Sequence, residues 1–347
     1  MALLPFLHKA VTGATLSKQE AFDAMQAILS GEASPALIAA FLTALRMRGE
    51  DPAELAGFAA AMRHHAVPVP LPLREHPLLD TCGTGGDGAE TFNISTVAAF
   101  VAAGAGVHVA KHGNRSVSSR CGSADVLEKL GIPMLDSPEL AARAIQEVGI
   151  GFLFAPAFHP AMRHAMPVRR ELRMRTVFNL LGPLANPANA SCQLVGAPGL
   201  AEARMMASAL ADFDLTKCFV VHGSDGLDEV TTTGPTHVFE LTGNQIREWV
   251  FEPAQLGVPL ASAADLKGGN AEENAQIALA ILGGESGPKA DIVLVNAAFA
   301  IAAARPEIPL DAAFAAAQHA VASGSALGRL NALREFLAGG RDHAPSA

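Results

Sequence analysis

The sequence predicts an α/β protein: a small all-helical N-terminal domain, then a larger α/β domain with a mostly parallel central sheet flanked by helices. Three observations carry that prediction. The first seventy residues show helix caps and helical periodicity with no strand pattern. From Leu78 onward, short apolar strand segments alternate with helical ones, which is how a parallel sheet covered on both faces reads. The chain has 347 residues, half of them hydrophobic, enough for a large core and for two domains.

In chain order, Ser17-Lys18-Gln19-Glu20 is a capping-box pattern, followed by Phe22, Met25, Ile28 and Leu29 on one face. Ser34-Pro35 opens a second helix that runs through Leu37, Ile38, Phe41 and Leu45 to Gly49. Asp51-Pro52-Ala53-Glu54 opens a third. From Val67 to Pro72 proline alternates with apolar residues, the mark of a stiff extended linker. The expected division is residues 1–72, completed by part of 165–190, and residues 73–347.

Strand candidates are the segment from Leu78 to Thr81, then Val107–Ala110, Gly151–Phe154, Gln193–Gly196 and Cys218–Val221. Helices such as Ser137 to Val148 and Ala201 to Asp212 fall between them. Val230–Trp249, with its Thr-Gly breaks, reads as hairpin strands. The last third returns to alanine-rich helices, with a frayed tail expected from Gly339. Phe158 to Pro187 interrupts the alternation. It is long, basic and punctuated by prolines, and reads as a hinge or wall between domains, where ligand clefts commonly sit.

Charge excludes several classes of partner. There are 34 acids against 25 bases, a formal net charge of −9, so a global positive field for nucleic acid or anionic membrane is absent. Anionic ligands must then be held by local cations and main-chain amides. The N-terminus lacks the pattern of a signal peptide, and the apolar runs are too short or too broken to span a bilayer. A soluble, cytoplasmic protein is expected. Cys82, Cys121, Cys192 and Cys218 lack CxxC spacing and read as reduced thiols, with Cys82 a small filler in preference to a reactive group.

The chemistry gathers in two glycine-bearing segments. Gly83-Thr84-Gly85-Gly86-Asp87 follows a strand and precedes Asn93-Ile94-Ser95-Thr96 at a helix start. Strand, glycine loop and helix start offer free N–H groups to a phosphate, and the glycines admit an anion without Cβ clashes. The spacing is neither a Walker loop nor GxGxxG. Lys111-His112-Gly113-Asn114-Arg115-Ser116 brings cations, an amide and a hydroxyl to the end of the next strand, and Ser123-Ala124-Asp125 opens a helix as a second dipole end. Surface cations are the plainer alternative for Lys111 and Arg115, and a packed histidine for His112. Two such segments imply a ligand with more than one phosphate. Asp228-Glu229 lies in a loop where adjacent carboxylates can converge on a hard cation such as Mg²⁺, a solvated turn being the plainer alternative. Of Arg169, Arg170, Arg173 and Arg175, one can clamp a carboxylate with paired hydrogen bonds. His159 and His164 have no supporting ligand spacing.

These segments give the chain a close resemblance to the anthranilate phosphoribosyltransferase family. It is carried by Asp80 to Gly88, Thr91 to Thr96, Lys111 to Ser119, Gly122 to Glu128, Phe158 to Met162, Pro167 to Leu172, Arg175 to Leu184 and His222 to Glu229, in order, over essentially the whole chain. The resemblance implies a homodimer with its active site in the cleft between a helical and an α/β domain. It implies that phosphoribosyl pyrophosphate meets Gly83, Gly86, Asp87, Thr91, Asn93, Ile94, Ser95, Thr96, the run Lys111, His112, Gly113, Asn114, Arg115, Ser116, Val117, Ser118 and Ser119, and Ser123. Mg²⁺ would be held through Ser95, Asp228 and Glu229, and anthranilate would contact Gly83, Asn114 and Arg169. Lys111, His112 and Arg169 are the catalytic candidates. One departure stands out: Arg173 occupies a position the family usually gives to glycine. The rival readings are a pyrimidine nucleoside phosphorylase of related fold and a non-enzymatic relative that binds nucleic acid.

Overall fold

The computed structural model describes residues 2–72, 76–116 and 120–340. Four helices open the chain: α1 (Leu4–Val11), α2 (Lys18–Leu29), α3 (Pro35–Arg48) and α4 (Pro52–His64). Three of them start where the sequence places them. Ser17 and Glu20 close a reciprocal capping box on α2, Asp51 and Glu54 do the same on α4, and Ser34 caps α3 ahead of Pro35. Helix α1 corrects the three-helix expectation. It is short, and no side chain caps it. It holds by burying Leu3, Leu7 and Ala10, a tertiary gain that local propensity does not announce. The 67–72 segment is extended but not free: Val67 N–H donates to Phe158 O (2.8 Å) and Val69 N–H to Pro187 O (3.3 Å).

The rest alternates strand and helix. In chain order come β1 (Leu78–Gly83), α5 (Ile94–Gly104), β2 (His108–Gly113), α6 (Ser123–Lys129), α7 (Pro138–Arg143), which passes into a π-helical turn over Ala144–Val148, and β3 (Ile150–Phe154). The hinge stretch carries short helices α8 (Ala155–Phe158), α9 (Met166–Leu172) and α10 (Phe178–Leu181). Next come β4 (Cys192–Gly196), α11 (Leu200–Leu210), β5 (Lys217–Gly223), β6 (Thr236–Thr242) and β7 (Gln245–Phe251). Helices α12 (Ala271–Leu282), α13 (Pro288–Ala304), α14 (Leu310–Ala322) and α15 (Ser325–Gly340) close the fold. The tail expected to fray from Gly339 is helical through Gly340, and residues 341–347 lie outside the described residues.

The seven strands lie in the order β3-β2-β1-β4-β5-β6-β7; the first five are parallel and the β6–β7 hairpin is antiparallel. Side chains along a strand alternate between two cores. On β5, Phe219 and Val221 enter the core under α5 and α12–α15, while Cys218 and Val220 enter the other. That second core also takes in the N-terminal helices, α11 and residues Ala165, Val168, Phe178 and Leu181 of the hinge stretch. The N-terminal helices thus pack on one face of the sheet through α11 and the hinge. Glu54 is fully buried at that end, accepting from Leu16 N–H (2.7 Å) and pairing with Arg48.

Arg173 ends α9 in the left-handed conformation, φ 48° and ψ 32°, and its amide donates back to Arg169 O (3.2 Å). A helix C-terminus in that geometry favours glycine, because an L side chain pays for it. The Arg173 side chain is exposed. Arg173→Gly should therefore stabilise the protein by about 1 kcal/mol, read as a higher urea midpoint at unchanged m-value.

Candidate active site

The strand order reverses between β1 and its neighbours β2 and β4, and ligands bind outside the carboxyl ends of strands at such a point. Here that rim is built from the ends of β1, β2, β4 and β5. The glycine loop leaves β1 with Thr84 N–H on Gly196 O (3.0 Å) and Gly85 N–H on Asp228 Oδ2 (2.6 Å). Gly85, Gly86 and Gly88 all take positive φ (67°, 76° and 75°). Asp87 Oδ1 accepts from Ala89 N–H (3.2 Å), tightening the turn.

Close approach fixes two glycines. A Cβ on Gly83 would stand 2.4 Å from Asp228 Oδ2, and one on Gly196 would stand 1.6 Å from Asp228 O. The acid loop can therefore pack on the ends of β1 and β4 only if both positions lack a side chain. Gly196 carries no motif signal of its own, so sequence reading gave it no role.

Asp228 and Glu229 meet the glycine loop and the start of α5. Glu229 Oε1 accepts from Ser95 N–H (3.2 Å). Both carboxyls are pushed well up, first by burial; Asp87 then raises Asp228, and Asp228 raises Glu229. Lys111 opposes the shift at Glu229. It is 2 % exposed, with its ammonium on Thr81 O and 3.2 Å from Ser95 Oγ. Among the described residues no group of three or more His, Cys, Asp or Glu side chains is arranged to hold a metal by itself. Two carboxylates with a hydroxyl beside them fit a hard cation that takes its remaining oxygens from phosphate and water. Magnesium suits that donor set.

At α5, Asn93 does not cap the helix. Its Nδ2 donates to Cys121 O (3.3 Å) and its Oδ1 accepts from Asn274 Nδ2 (3.1 Å), tying the loop to α12. Thr91 bridges to Lys267. Ile94 and Thr96 are buried, and Ile94 N–H is taken by Phe92 O (2.8 Å). Asn274 and Lys267 lie far along the chain, in segments with no local signal.

Beyond Lys111, His112 N–H donates to Asp80 Oδ1 (3.1 Å), and Asn186 Nδ2 donates to Asp80 Oδ2 (2.7 Å) and Ala110 O (2.8 Å). Burial outweighs Lys111 at Asp80, whose carboxyl is pushed up to about 6. His112 Nδ1 stands 3.1 Å from Gly182 O, and its ring lies 5.1 Å from that of His159. The sequence gave His159 no partner; the hinge stretch brings it there.

The second glycine segment is arranged differently from the expectation. Ser123 Oγ donates to Asn114 O (3.2 Å), and a Cβ on Gly113 would fall 2.4 Å from that hydroxyl. Arg115 is held by Asp125 (3.0 Å) and Glu128, and Ser116 N–H donates to Asp125 (3.1 Å). Its charge is thus shared with two carboxylates of α6. That helix begins at Ser123, and Asp125 in its first turn accepts from Gly122 N–H (2.8 Å). Val117, Ser118 and Ser119 lie outside the described residues.

Arg169 is half-buried, with its guanidinium 5.2 Å from the Phe178 ring centre and its pKa lowered by burial. No carboxylate pairs with it among the described residues. Arg175, read as one of a basic face, instead reaches the glycine loop: Nη1 donates to Gly86 O (3.1 Å). Cys82 is no reactive thiol, because burial and the charges of Asp80, Asp228 and Glu229 hold its pKa far up.

Burial holds His112 down to about 4 and, with His112 beside it, His159 down to about 3. Neither imidazole should charge above pH 5. In a ¹³C- or ¹H-detected titration both rings should keep neutral-ring shifts from pH 8 to pH 5.

Residues 4–66 match the helical bundle domain of a glycosyl transferase family, and residues 75–327 match the α/β domain of a glycosyl transferase family. A curated anthranilate phosphoribosyltransferase of Solibacter usitatus is 57% identical over 338 residues, 97% of this chain and 99% of that protein. The crystal structure of anthranilate phosphoribosyltransferase from Thermus thermophilus superposes with a TM-score of 0.90 at 45% identity, covering 97% of this chain and 99% of that one. The Saccharomyces cerevisiae enzyme in complex with PRPP and Mg gives a TM-score of 0.90 at 30% identity, covering 97% and 98%. With likeness this close over nearly its full length, the chain belongs to the anthranilate phosphoribosyltransferase family of glycosyl transferases.

Proposed function

We propose that this chain transfers the phosphoribosyl group of 5-phosphoribosyl 1-pyrophosphate to the amine of anthranilate, releasing pyrophosphate, as a step in making tryptophan. The observation that carries this reading is the acid pair of buried Asp228 and half-buried Glu229, bonded to the amides of Gly85 and Ser95 and facing Lys111. Such a site holds a cation and a diphosphate together. Magnesium bound at Asp228 and Glu229, with Ser95 beside them, supplies charge neutralisation at the departing pyrophosphate.

The chain's own residues do the rest. The glycine loop, with Asp87, Thr91 and Asn93, lines the donor, and Lys111 sets a positive charge where negative charge grows on the leaving group. The anomeric C–O bond breaks ahead of C–N formation, because the ring oxygen shares the positive charge left at that carbon. Arg169 has no acidic partner among the described residues and aims the nucleophile through its carboxylate, with Gly83 and Asn114 completing that pocket. An aromatic amine attacks as the neutral base and sheds its proton late. Neutral His112 is suited to accept a hydrogen bond there and not to act as a standing cation.

A phosphorylase reading shares the glycine loop but needs inorganic phosphate, so pyrophosphate release separates the two. The net charge of −9 counts against a nucleic-acid binder. Among the described residues no helix is long and apolar enough to cross a membrane. A cytoplasmic homodimer is part of the proposal. Anthranilate fluorescence should fall only with donor and Mg²⁺ present, and a chelator should stop it. Arg169→Ala should raise KM for anthranilate by tenfold or more, as an order of magnitude, with far less change for the donor. Equal effects on both substrates would remove Arg169 from this role.

A further inference from the structure

Every other buried residue of α13 is apolar, yet Asn296 sits fully buried in its middle. Asparagine is a poor choice in a helix interior, because its amide competes for backbone partners. Here that amide is completely used. Oδ1 accepts from Val230 N–H (2.9 Å), while Nδ2 donates to Val230 O (2.9 Å) and to Ile292 O of its own helix (2.8 Å). Reversing the amide would set donor against donor, so its orientation is fixed. Asn296 thus grips both main-chain groups of the residue that follows Glu229, as a neighbouring strand would.

The acid pair needs such a fastening. Asp228 is buried and Glu229 half-buried, close to each other and to Asp87, and each would regain water by swinging out. The carboxylates' own bonds run to Gly85 and Ser95, in the segments that meet ligand. Asp225 braces the loop within itself, through Leu227 N–H (3.1 Å) and Thr231 Oγ1 (2.6 Å). Asn296 fastens it to the core.

We propose that Asn296 is a positioning residue for Asp228 and Glu229, and that through Val230 it sets the pair's affinity for a divalent cation and for the phosphorylated donor. This rests on the function proposed above. The plainer role, satisfying a buried peptide, lowers stability without favouring one ligand over another.

Asn296→Ala and Asn296→Ser in the full chain separate the two. Mn²⁺, followed by electron paramagnetic resonance with phosphoribosyl pyrophosphate present, is the probe. Asn296→Ala should bind it about tenfold more weakly and raise KM for the donor in step, with KM for anthranilate moving less than about twofold. Asn296→Ser keeps one polar group near Val230 and should fall between. Unchanged Mn²⁺ affinity in a destabilised variant overturns the proposal. So do equal losses for both substrates, or failure of both variants to fold. Wild-type protein that takes up neither Mn²⁺ nor donor sinks the functional reading itself; variants that match a competent wild type sink only this inference.

Discussion

Two acidic side chains set side by side, one buried and one half-buried, are the constraint around which this rim is arranged. Desolvation and mutual repulsion both oppose them, and a single nearby ammonium offsets only part of that cost. The fold answers with geometry. Glycine stands at Gly83 and Gly196 so that the loop can approach, and main-chain amides of Gly85 and Ser95 meet the carboxylate oxygens. Unfavourable charge held in place this way marks a candidate functional site.

The other side of the rim carries rings and a cation in place of acids. His112 lies against His159 of the 158–187 stretch, and Arg169 lies over Phe178. One end of the rim thus gathers carboxylates, an ammonium and main-chain amides, and the other gathers rings and a guanidinium. The hinge links them: Arg175 reaches Gly86, and the chain after α4 is bonded to Phe158 and Pro187. Packing of the bundle and placement of the glycine loop share the same residues.

What was legible in the sequence was local. Capping boxes, proline starts and short apolar strand segments gave α2–α4 and the sheet, since each is decided by neighbours a few residues apart. The glycine loop, Lys111 and the acid pair stood in motifs and could be found. Helix α1 was not, because only tertiary burial of Leu3 and Leu7 holds it. Gly196, Asn274, Asn186 and His159 were missed for the same reason: each matters through a partner scores of residues away. The ion pairs of Arg115 with Asp125 and Glu128 likewise come from folding.

The close packing around the acid loop has a side effect on its neighbour at the end of β1. Cys82 lies next to the glycine loop, where a thiolate would be open to alkylating agents and peroxide. Only the ionised sulfur reacts quickly, and burial first, then the nearby acids, holds the thiol in its protonated form against the opposing pull of Lys111. Packing the end of β1 against the acid loop thus doubles as chemical armour for this sulfur, which electrophiles would otherwise find as a nucleophile.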